Sequence, residues 1–170
     1  MTARVAEIYI APAAGAAMCR LTSVEAIPGK GLAGDRYAQG GGTYAHYPGN
    51  RDVTFFAMEA LLDVEIATGI VLHPSQTRRS VITEGVKLSS LINVEFSIGP
   101  VRFLGLRPCP PCLYLAGLLK MPEVLKGLAH GGGIYAQILE GGTFRVNDLI
   151  LREAAEKAAE EQAPAATPWP

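Results

Sequence analysis

Residues 95–106 read Glu95-Phe96-Ser97-Ile98-Gly99-Pro100-Val101-Arg102-Phe103-Leu104-Gly105-Leu106. Two short strand-like runs, 95–98 and 101–106, meet across Gly99-Pro100, which reads as a β-hairpin. The pattern returns downstream. Ile134–Glu140 and Thr143–Val146 flank Gly141-Gly142, and Leu149–Leu151 continues the sheet. Upstream, Val5–Ile10 and Leu21–Ile27 are rich in Val and Ile and bounded by Gly, Pro or Ala-Pro breaks. Asp52–Phe56 reads as a buried strand and Ser80–Thr83 as a short one. A helix is predicted over 57–68, with Met58, Leu61, Leu62 and Ile66 on one face and Gly69 as a stop. A helical turn is predicted over Pro122–Leu128, with proline near its start. Many short strands, glycine turns and one or two helices predict a mainly β, α+β fold, built as a closed or partly closed barrel.

A chain of 170 residues suits one domain, here residues 1–152, and 49% hydrophobic residues suffice for a core. The net charge of −1 gives no sign of nucleic-acid binding. The apolar runs stop well short of membrane length, and Glu7 interrupts any apolar leader core. Three cysteines are too few, and odd in number, for a disulfide scaffold. Together these point to a reducing, cytoplasmic setting. Residues 153–170 turn to Ala, Glu and Pro and are expected to form a flexible tail carrying Trp169.

Two of the cysteines lie in Arg107-Pro108-Cys109-Pro110-Pro111-Cys112-Leu113-Tyr114. Proline fixes its own φ and pushes the preceding residue toward extended backbone, so the segment is stiff and turn-like. Thiols held rigidly suit a transition metal, a redox couple or sulfur transfer. The neighbouring Arg107 favours the thiolate form. Plain burial is the alternative, as cysteine is often a small core residue. A thioredoxin-type couple needs a βαβ layout that this hairpin-rich chain lacks. A structural zinc needs four ligands. Only Cys19, His46, His73 and His130 remain to complete one, without a second close pair. Cys19, on the approach to a strand, is expected to pack.

Gly29-Lys30-Gly31-Leu32-Ala33-Gly34 has the G-x-G-x-x-G spacing. A dinucleotide fold needs those glycines to open a helix. Here they run on to Asp35-Arg36-Tyr37 and Gly40-Gly41-Gly42, inside a glycine-rich loop over 28–50. The surviving expectation is an anion cradle of loop amides, helped by Lys30 and Arg36, with a solvated surface loop as the alternative. Arg78-Arg79 precedes a strand. In extended backbone the two side chains take opposite faces, so one can reach an anionic ligand while the other meets solvent; a solvated pair is the default alternative.

Taken in order, five segments resemble the MOSC domain, the module at the C-terminus of molybdenum-cofactor sulfurases that also occurs as small standalone proteins. They are residues 29–37, Arg51-Asp52-Val53-Thr54-Phe55-Phe56, 78–86 from Arg78-Arg79-Ser80, Pro108-Cys109-Pro110-Pro111-Cys112, and 138–148. The resemblance spans roughly Val5 to Arg152. It implies a β-barrel associated with molybdenum cofactor, a pyranopterin dithiolene bearing a terminal phosphate. It implies that Cys112 is the key cysteine, a sulfur carrier or a thiolate ligand to molybdenum, and it matches Cys109 to a second cysteine of small standalone members. The two intervening prolines disfavour a disulfide, so Cys109 is expected to be an auxiliary thiol. Lys30, Gly31, Asp35, Arg36, Arg78 and Arg79 fall where relatives carry cofactor-contacting or structural residues. Ser80 stands where the family usually has Asn. Implied partners are a cysteine desulfurase or a reductase, with a small-molecule substrate such as an N-hydroxylated compound. Pyridoxal phosphate carries over by family association alone. The alternatives are a scaffold module without chemistry and a thiol–disulfide oxidoreductase using Cys109 and Cys112.

Overall fold

The computed structural model describes residues 2–46, 51–128, 131 and 133–153. The strands are β1 (Arg4–Ile10), β2 (Cys19–Leu21), β3 (Ser23–Ile27), β4 (Gly31–Leu32), β5 (Val53–Ala57) and β6 (Val81–Glu84). They continue with β7 (Glu95–Ile98), β8 (Val101–Pro108), β9 (Ile134–Glu140), β10 (Gly142–Arg145) and β11 (Ile150–Arg152). The helices are α1 (Glu59–Thr68), α2 (Leu113–Leu119) and α3 (Val124–Gly127). The predicted β7–β8 hairpin forms, and the cysteine segment follows it. The second predicted hairpin does not form: β9 pairs with β8 and β5, whereas β10 crosses to the other sheet and pairs with β3. The run over 21–27 divides at Thr22, because β2 pairs with β1 whereas β3 pairs with β10. The described residues form three α-helices rather than one or two; α2 begins directly after Cys112.

Eight strands form one mixed sheet, β11-β7-β8-β9-β5-β6-β1-β2, and β10-β3-β4 form a second. The named strands pair antiparallel except β5 with β6, which α1 connects in parallel. Of the closed or partly closed barrel expected, full closure is not reached: the larger sheet curls but stays open. Its two ends approach through an isolated Arg4–Leu149 bridge, and the Val5 amide donates to the Asp148 carbonyl at 3.0 Å. β2 extends beyond β1, so the sheet keeps an edge.

Alternation along the strands sorts side chains into two cores. Ile8, Phe55 and Val81 point into the curl, where Phe55, Phe96, Phe103 and Phe144 pack at 5.3–5.9 Å between ring centroids. Tyr9, Phe56 and Ile82 point outward, beneath the helices. α1 rests on this outer face through Ala60 and Val64, with Met58 and Leu61 of the predicted stripe packed beside them, whereas Leu62 and Ile66 are exposed. The reason is α3. A β-carbon on Gly127 would stand 2.9 Å from a Val64 methyl, so this glycine lets the helices meet at Val64. None of the described helices is long and apolar enough to cross a membrane. The expected tail over 153–170 lies outside the described residues except for Glu153.

Candidate functional site

The cysteine segment leaves β8 at Pro108 and enters α2 after Cys112. Cys112 has extended dihedrals, φ −127° and ψ 159°, and its carbonyl accepts the Ala116 amide at 3.2 Å. Its sulfur makes no capping bond and is half-buried, on the wall of a cavity of about 330 Å³. Small-molecule sites span roughly 300–1,000 Å³, so the space suits a compact ligand. Cys109, Asp35, Arg36, Arg78 and Arg79 line the same cavity. All three cysteines are free thiols.

The two adjacent arginines behave differently, and neither faces away. Arg78 ends a 3₁₀ turn, Pro74–Thr77, at φ 60°, a left-handed conformation rare for a residue with a side chain. That twist breaks the alternation expected of extended backbone and brings both side chains to one cavity. Arg79 is 8% exposed, and its Nη2 donates to the carbonyls of Cys109, at 3.2 Å, and Pro110, at 3.1 Å. It is therefore a clamp on the cysteine segment. Arg79→Ala leaves these carbonyls short of a donor and is expected to lower stability by about 1–3 kcal/mol, measured by urea denaturation, with partial recovery in Arg79→Lys.

Arg78 donates through Nη1 to the Ala16 carbonyl. Its Nε and Nη2 are buried and have no hydrogen-bond partner among the described residues. Those two nitrogens form the side-on fork of a guanidinium, the edge that matches two oxygens of a carboxylate or phosphate. Burial, and then the charge of Arg36, pull the Arg78 pKa below the ordinary guanidinium value. A desolvated cation beside a like charge is a site prepared for an anion.

The glycine loop does other work than expected. Asp35 is buried, and its carboxylate accepts the amides of Ala11 (2.9 Å) and Tyr37 (3.0 Å) and the Arg36 Nη1 (3.1 Å). Lys30 is exposed and, like Gly31, does not line the cavity. Gly31 serves packing: at φ +122°, a β-carbon there would stand 2.7 Å from the Asp52 carbonyl oxygen. The amides of 29, 30, 33, 35, 36 and 37 all donate within the protein, so these six are committed to the fold rather than to an anion. Residues 29–34 form a turn and β4 rather than opening a helix, which excludes the dinucleotide reading.

Cys109 is 1% exposed, and Tyr135 hydrogen-bonds to its sulfur. Burial pushes the Cys109 thiol pKa above its ordinary value, against the opposing charges of Arg79 and Arg107. Arg107 stacks on the Tyr135 ring at 4.6 Å, so its charge acts on Cys109. Tyr135 is raised by burial and by Cys109, and Tyr9 is pushed up to about 12 by burial and by Glu7. All three are acids whose folded-state values lie above the unfolded ones. Their contribution is complete below the unfolded values and is lost as pH rises through the folded ones. Stability is therefore expected to fall above about pH 9 and more steeply above about pH 10. In Cys109→Ala the first part of that fall should vanish from denaturation midpoints taken across pH.

Sequence reasoning missed the aromatic walls, Tyr37, Tyr44, Tyr114 and Tyr135, and also Arg51 and Thr54. Tyr37 and Arg51 stood inside the quoted motifs without a role. Nothing local in the sequence marks Tyr135, which β9 delivers from far along the chain. Cys19 is exposed rather than packed. Ser80 is buried at the cavity, its amide donating to Thr54 Oγ1 at 3.0 Å. No group of three or more His, Cys, Asp or Glu is placed to hold a metal among the described residues, and His130 lies outside them.

No family model and no curated protein matches the sequence. Solved structures match the fold. The YuaD protein from Bacillus subtilis superposes with a TM-score of 0.72 at 16% identity, covering 88% of this chain and 94% of that one. YiiM from Geobacillus stearothermophilus has a TM-score of 0.68 at 14% identity, covering 89% of this chain and 75% of that one. YiiM from Escherichia coli has a TM-score of 0.64 at 14% identity, covering 89% and 70%. The chain therefore has a MOSC-like α+β fold.

Proposed function

We propose that the protein handles molybdenum cofactor, or sulfur destined for it, through Cys112. One observation carries the reading: the open Nε/Nη2 fork of Arg78 and the uncommitted sulfur of Cys112 line one cavity. The donor set fits the group. Arg78, seconded by Arg36, would hold the terminal phosphate. Tyr37, Tyr44 and Tyr114 would flank the planar pterin. Cys112 would supply a soft thiolate ligand to molybdenum, and the bound group would then supply two-electron redox chemistry. Arg79 keeps the cysteine segment in place throughout.

Two roles follow from the same site. In a reductase of N-hydroxylated compounds, Cys112 is a metal ligand and a reductase partner supplies electrons. In a sulfur carrier, the Cys112 thiolate attacks the outer sulfur of a desulfurase persulfide. A new S–S bond forms at Cys112, the donor's S–S bond breaks, and the donor cysteine leaves as thiolate. Both roles belong in the cytoplasm, where thiols stay reduced. Incubation with a cysteine desulfurase and free cysteine, followed by intact mass measurement, separates them. A gain of one sulfur atom at Cys112 marks the carrier. Its absence in protein that retains metal marks the reductase. Neither sulfur nor metal in wild-type protein would leave a scaffold module.

A further inference from the structure

The loop between β1 and β2, Ala11-Pro12-Ala13-Ala14-Gly15-Ala16-Ala17-Met18, carries no charged side chain. Both cationic side chains of the proposed anion site nevertheless reach it. Arg78 Nη1 donates to the Ala16 carbonyl, and Arg36 Nη1 lies 3.9 Å from Met18 Sδ. The Tyr114 hydroxyl, from the same cavity, lies 3.6 Å from where a β-carbon of Gly15 would stand. The root of the loop is fixed separately. Ala11 donates to Asp35 at 2.9 Å and accepts the Arg36 amide at 2.8 Å. Thus the root rests on backbone and a carboxylate, and the tip rests on guanidinium groups.

We propose that residues 12–18 are a strap that reports occupancy of the cavity: an oxyanion on the Nε/Nη2 edge of Arg78 tightens its Nη1 hold on Ala16. This rests on reading the cavity as an oxyanion site. The guanidinium is planar and rigid, so fixing one edge fixes the other. An anion also screens Arg36 from Arg78, whose repulsion otherwise loosens the pair. The coupling is reciprocal, so a held strap raises anion affinity by the same factor by which the anion protects the strap.

Hydrogen exchange read by mass spectrometry on the full chain tests this, with inorganic phosphate as the probe and sodium chloride at matched ionic strength as control. Titration calorimetry on the same samples reports binding. Phosphate is expected to bind and to slow exchange within 13–18 by about fivefold or more. Arg78→Lys, a point charge without a fork, should lose that response while the β6 amides stay as protected as in wild type. Binding without any change over 13–18 overturns the strap and leaves the oxyanion site standing. No binding overturns both.

Discussion

Cys112→Ser is expected to abolish function while leaving the fold at least as stable. Loss of the sulfur should lower cofactor retention or sulfur acceptance by more than about 100-fold, beyond the effect typical of supporting residues around a metal. Stability should hold because the Cys112 sulfur makes no capping bond and is only half-buried. Serine is a favoured N-cap, so it can accept a first-turn amide of α2 and add about 0.5–1 kcal/mol. Cys109→Ser should behave in the opposite way. It places a hydroxyl where the native thiol is 1% exposed. It should lower stability by about 1–3 kcal/mol and weaken function without removing it. Assays of both variants beside their urea midpoints decide the matter. A functional Cys112→Ser with a null Cys109→Ser would show that the wrong sulfur has been assigned.

Arg78→Gly is expected to trade binding for stability. Glycine relieves the left-handed backbone at φ 60°, worth about 1–2 kcal/mol. It also removes a buried fork with no partner among the described residues. Losses oppose this: the bond to Ala16, side-chain packing, and the greater freedom of a glycine-containing unfolded chain. The net expectation is a rise of about 1 kcal/mol in ligand-free protein. Phosphate affinity should meanwhile fall by about 2–5 kcal/mol, roughly 30-fold or more. Urea denaturation and titration calorimetry measure the two sides. A destabilised variant that binds phosphate like wild type would place the anion elsewhere.

The strands were legible because their signals are local. Gly99-Pro100 announces its hairpin by turn chemistry alone, and the run Asp52–Phe56 shows β5 leading into a helix. Gly141-Gly142 marks a break of the same kind, but there the chain passes from one sheet to the other instead of folding back on β9. The orientation of α1 was not legible. Leu62 and Ile66 promised an apolar stripe, yet the helix turned Val64 inward to meet Gly127, a contact set by tertiary packing. How far the sheet closes was not legible for a similar reason, since sheet curvature and end-to-end pairing are properties of the whole assembly. At the site, Cys109, Cys112, Asp35, Arg36, Arg78 and Arg79 were found from motifs and do converge. Lys30 and Gly31 were drawn in by the glycine-loop motif and the family resemblance, but neither lines the cavity: Lys30 is exposed and Gly31 packs in β4. The division of labour between Arg78 and Arg79 depended on one left-handed residue, which a sequence pattern of two arginines does not signal.

The most direct test is the metal and pterin content of protein purified from a host that makes molybdenum cofactor, with Cys112→Ser and Arg78→Gly prepared in parallel. The expected result is molybdenum and pterin phosphate in wild-type protein, or a Cys112 persulfide in metal-free wild-type protein, with Cys112→Ser lacking both. Arg78→Gly should retain less pterin. Wild-type protein with neither group, or equal content in all three proteins, would contradict the assignment of Cys112 and its arginine neighbours to this chemistry.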